Sequence, residues 1–292
     1  MLRQRVVTAI CMLAVLYLAT AWLPVTGFAV VLSAFVLPAL LEWSRLMGLP
    51  YPWQHRLYAL VFYLLIVLTV VLSTYSGTQL SVLIRGADWV LGLNGLAILF
   101  WLLVFVAIVR YPQGTSLWDS PLLLAVAGWL TLLPVWWNLV YLKLLDEGGL
   151  LVFALIALVS IVDIGAYFSG RAWGRRKLAP ALSPNKSWAG FWGGLFACVA
   201  LALLLVTAVH VGRQPLEALT WAGLTALAVL LGVASVVGDL FESMLKRQRG
   251  VKDSGQFLPG HGGLLDRVDS LLAATPVFTL GVWFLASRVA WL

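Results

Sequence analysis

The sequence has few charged residues for its length: only 11% of its 292 residues are Asp, Glu, Lys or Arg. A water-soluble globular protein carries roughly a quarter charged residues. Because 62% of the residues here are hydrophobic as well, an ordinary soluble domain is excluded. The composition predicts an all-α, polytopic integral membrane protein.

Cysteine and histidine are also scarce, with two and three residues. Cys11 and Cys198 both lie within long apolar runs, where a thiol behaves as a small hydrophobic group, so no disulfide framework is expected. The few imidazole and thiol ligands argue against a zinc site. A P-loop with the pattern G-x-x-x-x-G-K-[ST] is missing, and so is the D-G-x-x-A-R signature of CDP-alcohol phosphotransferases.

Long apolar runs, in contrast, are abundant. A membrane-spanning helix needs about 20 mostly apolar residues. Nine stretches meet this requirement, at about 6–23, 25–41, 57–73, 89–109, 121–142, 150–168, 189–209, 221–238 and 270–287. The first is interpreted as an uncleaved span rather than a signal peptide, because its apolar core is longer than the usual 7 to 15 residues.

The Lys and Arg residues predict the orientation, because short cytoplasmic loops carry the excess of positive charge. With the N-terminus in the cytoplasm, 15 of the 19 Lys and Arg residues fall on the cytoplasmic side. This arrangement places the loops 169–188 and 239–269 on that side, at the inner membrane. The net charge of +7 is therefore attributed to topology and to anionic lipid, with no role for nucleic acid.

The two halves of the sequence differ in their polar residues. Residues 1–149 are interpreted as a transmembrane scaffold, and residues 150–292 as a transmembrane catalytic region. A homodimer is expected. The acidic residues of the first half fall at the ends of predicted spans and are interpreted as solvated loop charges: Glu42, Asp88, Asp119, Asp146 and Glu147.

The stretch from Gly238 to Ser270 gathers five carboxylates and five cationic side chains. Charge is costly where lipid is the solvent, so such a concentration indicates a functional site. Spacings of four and three put Asp239, Ser243 and Lys246 on one face if the helix continues. Glu242 and Asp253 lie off that face and are interpreted as partners of Lys246 or Lys252.

Asp266 and Asp269 are three residues apart at the start of the ninth span, and with Asp239 they offer an oxygen-only site of the kind that Mg²⁺ prefers. The glycine-rich turn at 259–263 allows the backbone to approach an anion closely, and His261 within it is interpreted as a hydrogen-bonding loop residue. Metal-held carboxylates with several cations favour phosphoryl or nucleotidyl transfer.

A second group of polar residues precedes this stretch. Asp163 lies within an apolar span and should face a wet cavity or a cation, either as a functional group or in an ion pair that packs helices. The segment Ser183–Ser187 places Lys186 near the start of a helix. This segment is either a phosphate-binding site or a turn followed by a capped helix.

At these residues the sequence resembles the phosphatidate cytidylyltransferase family. The signature S-x-aliphatic-K-R, K-D, H-G-G, D-R and a final D is present at Ser243, Lys246, Arg247, Lys252, Asp253, Gly255, Pro259, His261, Gly262, Gly263, Asp266, Arg267 and Asp269. An upstream block also resembles the family, at Asp163, Gly165, Ala166, Tyr167, Gly170, Ser183, Pro184, Lys186, Ser187 and Gly190. The sequence departs from many members at Ala189, where they have Glu or Gln.

The resemblance implies transfer of CMP from CTP to phosphatidate, a membrane lipid, giving CDP-diacylglycerol and pyrophosphate. It implies catalytic roles for Asp239, Ser243, Lys246, Asp266 and Asp269. The three aspartates would hold Mg²⁺, and a monovalent cation such as K⁺ is the candidate for a second ion. The implied substrate-binding residues are Asp163, Ser183, Lys186, Arg247, Lys252, His261, Gly262, Gly263 and Arg267. The alternatives are a CTP-dependent lipid-alcohol (polyprenol) kinase, which would use similar carboxylates, and a transporter, in which Asp163 would be the coupling residue.

Overall fold

The computed structural model of the chain describes residues 14–75, 87–210, 216–258 and 262–285. These residues are mostly helical, which confirms the all-α fold class. The nine helices within the described ranges are numbered here in chain order: α1 (14–22), α2 (Val25–Leu46), α3 (Pro52–Tyr75), α4 (Ala87–Arg110), α5 (Pro121–Leu145), α6 (Leu150–Trp173), α7 (Trp188–His210), α8 (Ala218–Gln248) and α9 (Leu265–Leu285).

Seven helices within the described ranges are long and apolar enough to cross a membrane: α2, α4, α5, α6, α7, α8 and α9. They correspond to seven of the predicted spans and confirm a multi-pass membrane protein. The predicted span at 57–73 falls within α3, and the one at 6–23 lies partly outside the described residues. The count of nine spans stays a prediction.

Three helices continue well past the ends of their predicted spans. Helix α2 ends at Leu46, α6 at Trp173 and α8 at Gln248. With 31 residues, α8 is about 46 Å long, whereas the hydrocarbon core of a bilayer is about 30 Å thick. Helix α8 is therefore long enough for its polar last turns to lie outside the lipid core.

A small β-hairpin connects α6 to α7. Strands β1 (Lys177–Ala179) and β2 (Ser183–Ser187) are antiparallel, with Lys177 opposite Ser187 and Ala179 opposite Ser183. The segment expected to be a turn thus forms a strand, which tolerates Pro184 because a two-stranded sheet consists of edge strands. The cap expected before α7 is present, since Gly190 N donates to Ser187 Oγ at 3.1 Å.

The polar end of α8 is fixed by an aromatic cluster around Phe241, a fully buried side chain. Its ring lies 6.1 Å from that of Trp43 on α2 and 5.0 Å from that of Trp118 in a 3₁₀ turn. The rings of Phe100 and Trp101 on α4 lie at 6.0 and 5.6 Å, in the range of favourable ring–ring contacts. Three separate elements therefore hold the helix that carries Asp239.

Helices α8 and α9 pack closely along each other. At their contact, a Cβ atom added to Gly238 would lie 2.4 Å from the backbone oxygen of Asp269. Only glycine allows two helix backbones to approach this closely. Asp269 takes part in this contact, and Asp239 follows Gly238 directly. The two aspartates therefore lie at the same level on neighbouring helices.

Candidate active site

Lys246 joins the polar ends of α8 and α9. Its Nζ donates to Glu242 Oε2 at 2.9 Å and to Asp266 Oδ1 at 2.6 Å. The pairing of Glu242 with Lys246 was one of the two predicted for that carboxylate and is confirmed. On the same helix, Ser243 Oγ lies 3.4 Å from Asp239 Oδ1, as the four-residue spacing predicts.

Asp266 anchors the loop that precedes α9. Besides Lys246, its carboxylate accepts hydrogen bonds from Ser254 N at 3.0 Å and Gly263 N at 2.9 Å, both at Oδ2. These three donors engage both carboxylate oxygens, so a metal ion bound by Asp266 would compete with Lys246. The contacts make Asp266 a residue that organises the loop as well as a candidate ligand.

Lys186 brings the β-hairpin to α8. It forms an ion pair with Asp239, in which about a quarter of each side chain is exposed. The hairpin is tied to α8 a second time, because Arg247 Nε donates to the backbone oxygen of Leu182 at 3.2 Å. The two loops predicted to lie on one membrane face therefore meet.

Asp163 on α6 belongs to the same neighbourhood. Its side chain interacts electrostatically with Asp239, Lys186 and Arg267. The sequence alternatives for Asp163 both required a wet cavity or a cation, and the structure places two cationic side chains near it. The exposed Asp163 carboxylate, which lies within an apolar helix, thus has Lys186 and Arg267 as its neighbouring cations.

Glu242 is the most deeply buried carboxylate of the group, and Asp269 lies beside it. Glu242 is 1% exposed, and its Oε1 has no hydrogen-bond partner among the described residues. Asp269 Oδ1 accepts a hydrogen bond from Ser270 N at 2.7 Å. Asp269 interacts electrostatically with Asp239 and shares a side-chain hydrogen bond with Glu242, so these three carboxylates lie close together.

The residues that meet at this end of the bundle are called the charged cluster: Asp163, Lys186, Asp239, Glu242, Lys246, Asp266, Arg267 and Asp269. Within the described part of the chain, five carboxylates and three cations leave this cluster with two formal negative charges. Closely placed carboxylate oxygens of this kind are the ligands that a divalent hard cation prefers.

A ready-made metal site is not present among the described residues: no group of three or more His, Cys, Asp or Glu side chains there is placed to hold an ion alone. Mg²⁺ is often held by one or two carboxylates together with water and substrate phosphates. A Mg²⁺ ion at the charged cluster would therefore take one or two of its carboxylates and need its other ligands from water or phosphate.

Glu42 on α2 also belongs to the site, because its carboxylate binds the start of α9. It was expected to be a solvated loop charge, which is wrong, because α2 continues past it and leaves it 3% exposed. Its carboxylate accepts hydrogen bonds from Leu264 N at 3.0 Å and Leu265 N at 2.8 Å, at the start of α9. Ser254 Oγ donates to it as well, at 3.2 Å.

Two glycines that are distant in the sequence leave room for the Glu42 carboxylate, and they are the one sequence feature connected with its role. A Cβ atom added to Gly255 would lie 2.4 Å from Glu42 Oε1, and one added to Gly263 would lie 2.6 Å from Oε2. Both glycines belong to the motif quoted above, but a sequence does not reveal which side chain fills the space beside them. Glu42 thus binds the positive end of the α9 dipole, next to Asp266 and Asp269.

The remaining predicted residues lie around the charged cluster or outside the described residues. Ser183 is paired with Ala179 in the hairpin. Lys252 is exposed and lines a groove together with Arg45 and Asp253. Gly262 has a positive φ of 83°, consistent with a turn that favours glycine, whereas His261 lies outside the described residues.

The chain is similar to a family of transferases along nearly its whole length. The model of the family described as the cytidylyltransferase family matches residues 3–285. A phosphatidate cytidylyltransferase of Pseudomonas aeruginosa is 40% identical over 288 residues, covering 97% of both chains. One from Haemophilus influenzae is 36% identical over 295 residues, covering 97% of this chain and 99% of that protein. One from Brucella suis is 52% identical over 126 residues, covering 43% of this chain and 44% of that protein.

Proposed function

The chain belongs to the cytidylyltransferase family, and from this membership we propose that it transfers the cytidylyl group of CTP to phosphatidate. A phosphate oxygen of phosphatidate attacks the α-phosphorus of CTP, and the bond from that phosphorus to the bridging oxygen breaks. Pyrophosphate leaves, and CDP-diacylglycerol remains in the membrane. The attacking oxygen belongs to an ionised phosphate, so the reaction needs no general base.

The observation that carries this proposal is the charged cluster at the ends of α8 and α9, in a chain similar to phosphatidate cytidylyltransferases over 97% of its length. Nucleotidyl transfer depends on positioning and on neutralising charge around phosphorus. Lys186 and Lys246 are held by carboxylates and can exchange a carboxylate for a phosphate oxygen. Ser243 and Arg247 stand beside them to donate hydrogen bonds to phosphate.

We propose Mg²⁺ as the cofactor, held by one or two of Asp239, Asp266 and Asp269 together with water and substrate phosphates. When bound, it would neutralise the triphosphate and stabilise the leaving pyrophosphate. The closely placed carboxylate oxygens of the charged cluster support a divalent ion. K⁺ is the candidate for a second cation.

The proposed location is the inner membrane, with the charged cluster at the cytoplasmic side. CTP would then arrive from the cytoplasm and phosphatidate from the adjoining leaflet. The Lys and Arg distribution supports this orientation. A homodimer is also proposed, and the mass of the protein in detergent or nanodiscs tests it.

The activity is tested with purified protein, phosphatidate, Mg²⁺ and CTP labelled at its α-phosphorus. The expected product is a labelled liponucleotide, with release of unlabelled pyrophosphate. Chelation of Mg²⁺ should abolish the product, and restoring Mg²⁺ should recover it. Replacing K⁺ with a larger organic cation tests the second ion.

A matched pair of variants connects the activity to the charged cluster. Asp239→Asn should remove turnover, whereas Asp119→Asn, at an exposed position, should retain it. Formation of a phosphorylated lipid and labelled CDP from a lipid alcohol would instead identify the kinase and overturn the proposal.

A further inference from the structure

An apolar groove lies beside the charged cluster, between α1, α2, α5, α6 and α9. Its volume is about 260 Å³, and its wall includes Phe28, Phe35, Ala39, Leu132 and Leu271. Arg267 is the one charged residue among the described residues that line it. We call this space the Arg267 groove.

The Arg267 groove has the depth of about one membrane leaflet. Its wall on α2 extends from Phe28 to Ala39, which is about 16 Å along a helix axis. The hydrocarbon core of a bilayer is about 30 Å thick, so the groove covers roughly half of it. A single lipid chain within one leaflet occupies a space of this depth.

The charged end of the groove is the end nearest the site. Ala39 precedes Glu42 by about one helical turn, and Glu42 binds the first residues of α9. Arg267 lies about half a turn into α9 from the same point, and both Ala39 and Arg267 line the groove. Arg267 also interacts electrostatically with Asp163, which in turn interacts with Lys186 and Asp239.

We propose that the Arg267 groove is an acyl-chain subsite for the lipid substrate. One acyl chain lies in the groove and the phosphate group stands at its Arg267 end, where the charged cluster begins. The inference rests on the proposed function, because it identifies where phosphatidate is held. A cation at the end of a leaflet-deep apolar channel matches a lipid with an anionic headgroup.

A second apolar cavity provides a matched control. It has a volume of about 180 Å³ and lies between α6, α7, α8 and α9, where Ala154, Ala202 and Ala228 contribute to its wall. Its described lining contains no charged side chain. A substitution there imposes the same kind of packing change without narrowing the Arg267 groove.

The test compares Ala39→Phe, which narrows the Arg267 groove, with Ala154→Phe, which fills the control cavity. The measured quantity is kcat/KM for dioleoyl and for dihexanoyl phosphatidate in mixed micelles. Each buried methylene contributes a factor of roughly four, so losing the contacts of two methylenes lowers kcat/KM about fifteenfold. We expect Ala39→Phe to lower the dioleoyl-to-dihexanoyl ratio about fifteenfold and Ala154→Phe to leave it unchanged. Ala39→Leu should give a smaller shift in the same direction and serves if the larger variant does not fold.

A second measurement does not depend on turnover. Phosphatidate carrying a photoreactive diazirine at the end of one acyl chain should label peptides of α1 or α2 in the wild-type protein, and Ala39→Phe should reduce that labelling. The subsite is overturned if the dioleoyl-to-dihexanoyl ratio is unchanged in both Ala39 variants. It is also overturned if the label spreads over lipid-exposed helices such as α4, and ordinary membrane lipid is then the occupant of the groove. If no liponucleotide forms from any phosphatidate, the proposed function fails, while the labelling pattern still decides whether the groove binds the lipid.

Discussion

Replacing Glu42 with glutamine tests whether α2 positions the catalytic helix. The Glu42 carboxylate accepts hydrogen bonds from two backbone N–H groups and a hydroxyl at 2.8 to 3.2 Å. A glutamine side chain keeps the shape but has one acceptor oxygen, and its amide N–H₂ would face a backbone N–H. At least one buried donor at the start of α9 is then left without a partner.

The magnitude follows from the hydrogen bonds to a charged group. Each contributes about 1.5 to 3 kcal/mol, and an unpaired buried donor costs about 1 to 3 kcal/mol. Loss of the anion at a helix N-terminus adds up to about 2 kcal/mol. We therefore expect Glu42→Gln to lower the free energy of local opening at the start of α9 by about 3 kcal/mol, which corresponds to roughly a hundredfold faster exchange.

The assay is hydrogen exchange of the peptide that contains Leu264 and Leu265, measured in detergent or nanodiscs. Activity should fall as well, because a displacement of about 1 Å at a reacting centre can cost about a hundredfold in rate. Asp119→Asn is the matched control: Asp119 also lies in the first half of the chain but is exposed, so it should change stability by less than about 0.5 kcal/mol. Unchanged exchange at Leu264 and Leu265 in the Glu42 variant would refute this role of Glu42.

Three further predictions concern the helix ends and the topology. Asp266→Asn should abolish CTP-dependent turnover while the protein remains inserted and folded, since Lys246 keeps Glu242 as a partner; near-normal turnover would remove Asp266 from the mechanism. Gly238→Ala should destabilise the protein by about 1 to 3 kcal/mol in thermal unfolding, because its Cβ would lie 2.4 Å from the Asp269 oxygen. Gly95→Ala, with no atom within 4 Å of the added Cβ, should be neutral or stabilising, and equal effects of the two substitutions would contradict the close-contact explanation. The Lys and Arg distribution predicts that the C-terminus lies outside the cytoplasm. A C-terminal reporter that works only outside the cytoplasm should therefore be active, and one that works only in the cytoplasm should be silent.

Local spacing was sufficient to predict part of the charged cluster. Asp239 and Ser243 lie four residues apart and contact each other, because α8 continues as a helix beyond the apolar span. The pairing of Glu242 with Lys246 follows the same helical geometry. These contacts depend on a few adjacent turns, which a sequence specifies directly.

Contacts between distant segments could not be obtained in this way. Lys186 pairs with Asp239 across 53 positions, and Glu42 binds the start of α9 across more than 220. The sequence placed Glu42 at a span end, where solvent is the ordinary environment of a carboxylate. Its burial arises because α2 is longer than its apolar stretch and because Gly255 and Gly263 leave room for the carboxylate.

The sequence by itself determined that this protein lies in a membrane, and it determined which chemical groups its polar residues provide. A scarcity of charge and long apolar runs require helices in a membrane, since only internal backbone hydrogen bonding is tolerated in lipid. The tertiary structure alone decided which charges meet: the Gly238 contact sets α8 against α9, the hairpin brings Lys186 to Asp239, and α2 supplies Glu42. Hydropathy depends on each residue separately, whereas a binding site depends on the distances between residues, and helix packing fixes those distances.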